Sequence, residues 1–100
     1  MRKSLIAANW KMNQTIAESR ALVHRLLGEL QGMLNTVSHV EVVICPPFTA
    51  LSAVADMLQH SPVALGAQDL YWETQGAFTG EVSPAMLTDA GCRYVILGHS

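Results

Sequence analysis

Four short apolar runs, at residues 4–8, 40–45, 63–67 and 93–97, divide the sequence, and the stretches between them carry apolar residues at helical spacing. The runs are rich in Val, Ile and Leu and mostly lack polar alternation, as strands covered on both faces do. Between the first two, Ile16, Val23, Leu26, Leu27, Leu30 and Leu34 share a helical stripe, with Glu18, Arg25 and Glu29 largely off it. Thr15-Ile-Ala-Glu18 is a capping-box pattern at the start of that helix. Gly28 weakens its interior slightly, and Gly32 offers a place for it to end. Pro46-Pro47 stops the second run, and from 48 to 58 Leu51, Val54, Ala55 and Leu58 fall on one face. Ser83 suits an N-cap, Pro84 the first helical position and Gly91 the exit of a third, shorter helix. The order β-α-β-α-β-loop-α-β predicts an α/β segment with parallel strands and right-handed crossovers. Residues 1–100 show no linker, low-complexity tract or second domain.

Composition sets further bounds. Half of the 100 residues are apolar and 14% are charged, against about 25% charged in an ordinary soluble domain. Two causes fit: strands buried on both faces, or surface shaped to meet a missing half of a larger structure. A formal charge of −2 with scattered basic residues predicts no nucleic-acid partner. No apolar stretch approaches the ~20 residues of a membrane helix. The apolar run after Met1-Arg2-Lys3 is too short for a secretory leader and meets Lys11 at once. A cytoplasmic, reducing setting is the expectation, with Cys45 and Cys92 as small buried hydrophobes rather than a disulfide.

Where the first run gives out, the chain reads Asn9-Trp10-Lys11-Met12-Asn13. Strand side chains alternate, so Asn9 and Lys11 are expected on one side with Trp10 packed on the other. The fourth run leads into Gly98-His99-Ser100. Polar groups at the exits of two parallel strands suit a reaction centre at the carboxyl end of the sheet. By position alone, Lys11 reads either as a solvated lysine or as a point charge for an anion. His99 reads either as a hydrogen-bonded strand-end residue or as a catalytic group. The segment 69–81 contains Tyr71, Trp72 and Phe78, which is apolar for an exposed loop. It either folds over its own end of the sheet or docks into another subunit. His24, His39 and His60 match no metal spacing, and neither cysteine joins them. There is no Walker loop, dinucleotide fingerprint or serine elbow, so neither a metal nor a cofactor is expected.

Taken with Gly76-Ala-Phe-Thr-Gly-Glu81, the Asn9–Asn13 and Gly98–Ser100 segments closely resemble the triosephosphate isomerase family, in the family's order. The resemblance runs from Met1 to Ser100 and covers the first part of a TIM (β/α)₈ barrel, a fold that takes ~250 residues when complete. It implies interconversion of dihydroxyacetone phosphate and glyceraldehyde 3-phosphate through an enediolate, a step of glycolysis and gluconeogenesis. Lys11 would hold the phosphorylated substrate and support the enediolate, and Asn9 would donate to a substrate oxygen and seat Lys11. His99 would polarise the carbonyl. This family is itself the standing example of a catalytic histidine kept neutral by a helix N-terminus, and Ser100 would open that helix.

The resemblance also makes 69–81 the subunit-contact loop of a homodimer, with Phe78 and Thr79 at its tip, although Asp69 follows Gln68 where many members have Asn. The family's general base is a glutamate on the later half of the barrel, and Glu18, Glu29, Glu41, Glu73 and Glu81 do not match its motif. Residues 1–100 alone are therefore expected to be inactive, with a complementary C-terminal barrel segment as partner. The competing expectation is a non-catalytic half-barrel serving folding or assembly. Another sugar-phosphate barrel is a third option, against which Asn9–Asn13 argues.

Overall fold

The computed structural model describes residues 4–36, 40–73 and 75–97. In chain order its elements are β1 (Ser4–Asn9), α1 (Ile16–Thr36), β2 (Val40–Cys45), a 3₁₀ turn (Phe48–Ala50), α2 (Leu51–Leu58), β3 (Ala64–Ala67), α3 (Pro84–Asp89) and β4 (Cys92–Val95). The strands form one sheet in the order β1-β2-β3-β4, and every neighbouring pair is parallel. A parallel sheet in unbroken chain order winds in one direction, so its crossover helices must cover one face. They do. Val23 of α1, Leu51, Val54 and Leu58 of α2 and Leu87 of α3 all pack in one core with Ile44, Leu65 and Ala67 of the sheet. On the other face Val43, Cys45 and Ala64 form a smaller cluster with Tyr94 and Ile96, with no helix residue in it. One-sided covering separates the start of a (β/α)₈ barrel from a doubly wound sheet, which carries helices on both faces. The expected fold class is the observed one.

Local chemistry explains most element ends. The backbone N–H of Thr15 donates to Glu18 Oε1 at 2.8 Å and that of Glu18 to Thr15 Oγ1 at 3.2 Å, which is the capping box read from the sequence. Ser83 caps α3 by accepting from the N–H of Met86 at 3.2 Å, with Pro84 in the first turn and Gly91 leaving the helix at φ 102°. Several boundaries differ from expectation, β1 among them, which runs one residue further, through Asn9. Helix α1 continues past Gly32 to Thr36, because one glycine costs a helix only about 1 kcal/mol and does not by itself stop it. Strand β3 begins one residue later than expected, after Ser61 Oγ accepts from the N–H of Val63.

Strand β4 spans Cys92–Val95 rather than 93–97 and holds an irregularity. Cys92 and Tyr94 pair with the consecutive residues Leu65 and Gly66, leaving Arg93 as an extra residue. The bulge turns Tyr94 onto the face opposite the helices, where its hydroxyl donates to Glu41 Oε2 of β2 at 2.8 Å. Arg93 approaches the other carboxylate oxygen at 3.5 Å. The Tyr94 bond links β2 to β4 across β3, on the face where Tyr94 packs with Ala64. A Cβ on Gly66 would lie 2.7 Å from Cys45 Sγ and 3.1 Å from Val43 Cγ1.

Candidate functional site

Three strand exits meet at the carboxyl end of the sheet. Strand β1 stays in register with β2 through Asn9 opposite Cys45, and the N–H of Trp10 adds one more bond to Cys45 O at 3.1 Å. The strand then breaks. Lys11 has φ 54°, the left-handed region that costs a non-glycine residue roughly 1–2 kcal/mol. Asn9 Oδ1 accepts from the Lys11 N–H at 2.9 Å, and Asn13 Nδ2 donates to Trp10 O at 2.9 Å. The Asn9 side chain thus closes a turn on the Lys11 backbone, and strand alternation stops at this point. Trp10 is half-buried against the helix-side core, as expected of a packing residue. Lys11 is exposed, and the neighbouring Met12 is 95% exposed.

The exit of β3 is joined to the same place by Gln68. Its Nε2 donates to Lys11 O at 2.8 Å and to Cys45 O at 2.9 Å, so one amide ties the Lys11 turn to the ends of β2 and β3. Sequence reasoning missed this residue. The available signal was its position directly after a buried strand, the same signal that singled out Asn9. A cavity of about 200 Å³ lies near this end of β3, lined by Phe48, Leu51, Leu70, Val82 and Leu87 among others. Gln68, Asp69 and Glu81 share its wall with these residues, and neither Asn9 nor Lys11 lines it.

The N–H of Ile96 donates to Ala67 O at 2.9 Å, carrying β4 towards the same end of the sheet. The expected His99, with Gly98 and Ser100, lies outside the described residues. Of the glutamates weighed as a base, Glu18 is occupied in the α1 cap, and Glu41 binds Tyr94 and Arg93. Both cysteines are free thiols; Cys45 is buried as expected, whereas Cys92 is only half-buried. Burial pushes the Cys45 thiol above its ordinary pKa, and burial followed by the proximity of Cys45 does the same to Cys92. Among the described residues no group of histidine, cysteine and carboxylate side chains is disposed to hold a metal.

The aromatic segment folds largely on itself. The N–H of Tyr71 donates to Val82 O at 2.8 Å, drawing the ends of the loop together. The ring of Tyr71 lies 4.4 Å from that of Phe78, centroid to centroid, and 5.9 Å from that of Trp72. Gly76 has φ 147°, and a Cβ there would meet the Phe78 ring at 2.6 Å. The Glu81 N–H donates to Phe78 O at 3.0 Å and Gly80 has φ 87°, so Phe78–Glu81 is a tight turn with Thr79 at its exposed corner. Trp72 remains 75% exposed and Phe78 42%.

Comparison with known proteins places this geometry in context. A family model described as Triosephosphate isomerase matches residues 4–100. The whole chain is 59% identical to Triosephosphate isomerase of Chloroflexus aurantiacus (strain ATCC 29366 / DSM 635 / J-10-fl) and covers 38% of that protein. It is 57% identical to Triosephosphate isomerase of Roseiflexus sp. (strain RS-1), again over 38% of that protein. The corresponding protein of Dictyoglomus turgidum (strain DSM 6724 / Z-1310) is 47% identical, with 39% of its length covered. The chain thus spans well under half the length of these curated relatives.

Proposed function

The chain belongs to the triosephosphate isomerase family, and from that premise we propose that the full-length protein carrying it interconverts dihydroxyacetone phosphate and glyceraldehyde 3-phosphate. The carrying observation is the seating of Lys11. Asn9 and Gln68 hold it in a positive-φ turn at the carboxyl end of a singly wound parallel sheet. Active sites in (β/α)₈ enzymes lie at that end, on the loops that follow the strands. The Lys11 ammonium supplies a fixed positive charge for the substrate's phosphate and for the negative charge that grows on the enediolate oxygens. Asn9 donates from its amide nitrogen to substrate, because its oxygen already accepts from the Lys11 backbone. His99 polarises the substrate carbonyl, and a base outside residues 1–100 moves the proton between adjacent carbons. No cofactor takes part in this scheme. The protein works as a cytoplasmic homodimer in which the 69–81 loop, with Phe78 and Thr79 at its tip, enters the partner subunit.

The test uses the full-length protein, purified free of host isomerase and assayed with glyceraldehyde 3-phosphate. Lys11→Met is expected to lower kcat/KM by at least a hundredfold, since it removes a charge aimed at the transition state. His99→Gln is expected to lower kcat with less effect on KM. Unchanged kinetics for either variant would remove that residue from the mechanism, and a wild-type protein without turnover would defeat the assignment.

A further inference from the structure

Thr79 sits at a turn corner whose geometry is set one residue earlier. The turn opens at Phe78, whose carbonyl accepts from the Glu81 N–H at 3.0 Å, and Gly80 supplies the positive φ of 87° that closes it. The direction of the corner therefore follows the placement of Phe78. Two contacts fix that ring. The first is Tyr71, with centroids 4.4 Å apart and the planes inclined by 37°. The second is the backbone of Gly76, at φ 147°, where an added Cβ would stand 2.6 Å from the ring. Tyr71 is itself anchored, because its N–H is bound to Val82 O at the base of the loop, and Val82 packs against the main core.

We infer that Tyr71 is a positioning residue for subunit association, holding Thr79 through the Phe78 ring in the conformation that a second copy of this chain receives. This rests on the homodimer reading above and adds to it the device that shapes the contact before contact is made. A free loop of this length loses conformational freedom when it docks, and that loss weakens association. A loop already folded on its own rings avoids most of it. The half-buried Tyr71 contributes by stacking inside the loop, whereas Trp72, at 75% exposure, faces outward. In a twofold dimer every loop contact occurs twice, so a modest effect per loop is squared in the dissociation constant.

The experiment measures the dimer dissociation constant of the full-length protein by sedimentation equilibrium. Tyr71→Leu is expected to raise it about tenfold, the square of a roughly threefold loss per aromatic pair. Tyr71→Phe, which keeps the ring, is expected to stay within about twofold of wild type. Gly76→Ala, whose Cβ would crowd the same ring, is expected to weaken association as well. A double-mutant cycle isolates the route: Tyr71→Leu added to Phe78→Leu should cost little beyond Phe78→Leu alone. An unchanged constant for Tyr71→Leu, or losses that add in the cycle, would overturn the inference. If Phe78→Leu weakens the dimer while Tyr71→Leu does not, this inference fails and the homodimer reading stands. A wild-type protein that is monomeric throughout defeats both.

Discussion

Gly66 and Ser19 carry the clearest consequences at the scale of single residues. Gly66 lies on the sheet face that bears Cys45, and no side chain fits there without displacing Cys45 Sγ, 2.7 Å from the position of an added Cβ. Gly66→Ala should therefore destabilise the full-length protein by about 1–3 kcal/mol in urea unfolding. Cys45→Ala in the same chain should recover part of the loss. If the two substitutions simply add, the close approach is not what demands glycine. Ser19 is the opposite case. Its hydroxyl is fully buried and has no hydrogen-bond partner among the described residues. A buried hydroxyl without a partner gives up hydration for nothing, and alanine is also the better helix former. Ser19→Ala should raise stability by about 1 kcal/mol, and a measured loss would show that the hydroxyl finds a partner in solution.

At the scale of elements, α1 offers a test in which pH is the variable. The backbone N–H of Thr15, followed by its hydroxyl, holds the Glu18 carboxyl below its ordinary pKa. A carboxylate with a lowered folded pKa contributes stability above its unfolded value, and that contribution disappears as pH falls through the folded value. Glu18→Gln keeps a capping partner that does not titrate. Wild type should thus lead Glu18→Gln at neutral pH and lose that lead as pH falls below the ordinary carboxylate range, as followed by thermal unfolding. A lead independent of pH would rule out the charged cap.

The caps of α1 and α3 were legible in the sequence because each is made by residues three apart, Thr15 with Glu18 and Ser83 with Met86. The β4 bulge was not, because it depends on the register with β3 rather than on the residues of β4. Gln68 was missed for the same reason, its partners lying 57 and 23 residues away in the chain. The place of Asn9 and Lys11 at a strand exit was legible in the sequence. The turn that joins them was not foreseen, since alternation assumes a strand that has already ended.

For the whole molecule, the governing fact is a sheet with one covered face and two open edges. Among the described residues β1 pairs with β2 alone and β4 with β3 alone, so each outer strand presents unpaired backbone groups. The helix-side core reaches Ile44, Leu65 and Ala67 in the middle of the sheet, but Leu5 and Ile6 of β1 remain 54% and 56% exposed. In a closed (β/α)₈ barrel the first strand pairs with the eighth and the fourth with the fifth, which removes both edges. Residues 1–100 produced by themselves have no such neighbours. Their open edges and apolar surface should drive them to associate, aggregate or stay only partly folded. Replacing Phe78 and Thr79 with charged residues separates the two sources of association. If the proposed homodimer forms through this loop, the change should weaken association of the full-length protein. In residues 1–100 association should persist, because two edges outweigh one loop. A monomeric mass in sedimentation at micromolar concentration, together with a cooperative unfolding transition, would show that four strands and three helices suffice as an independent unit.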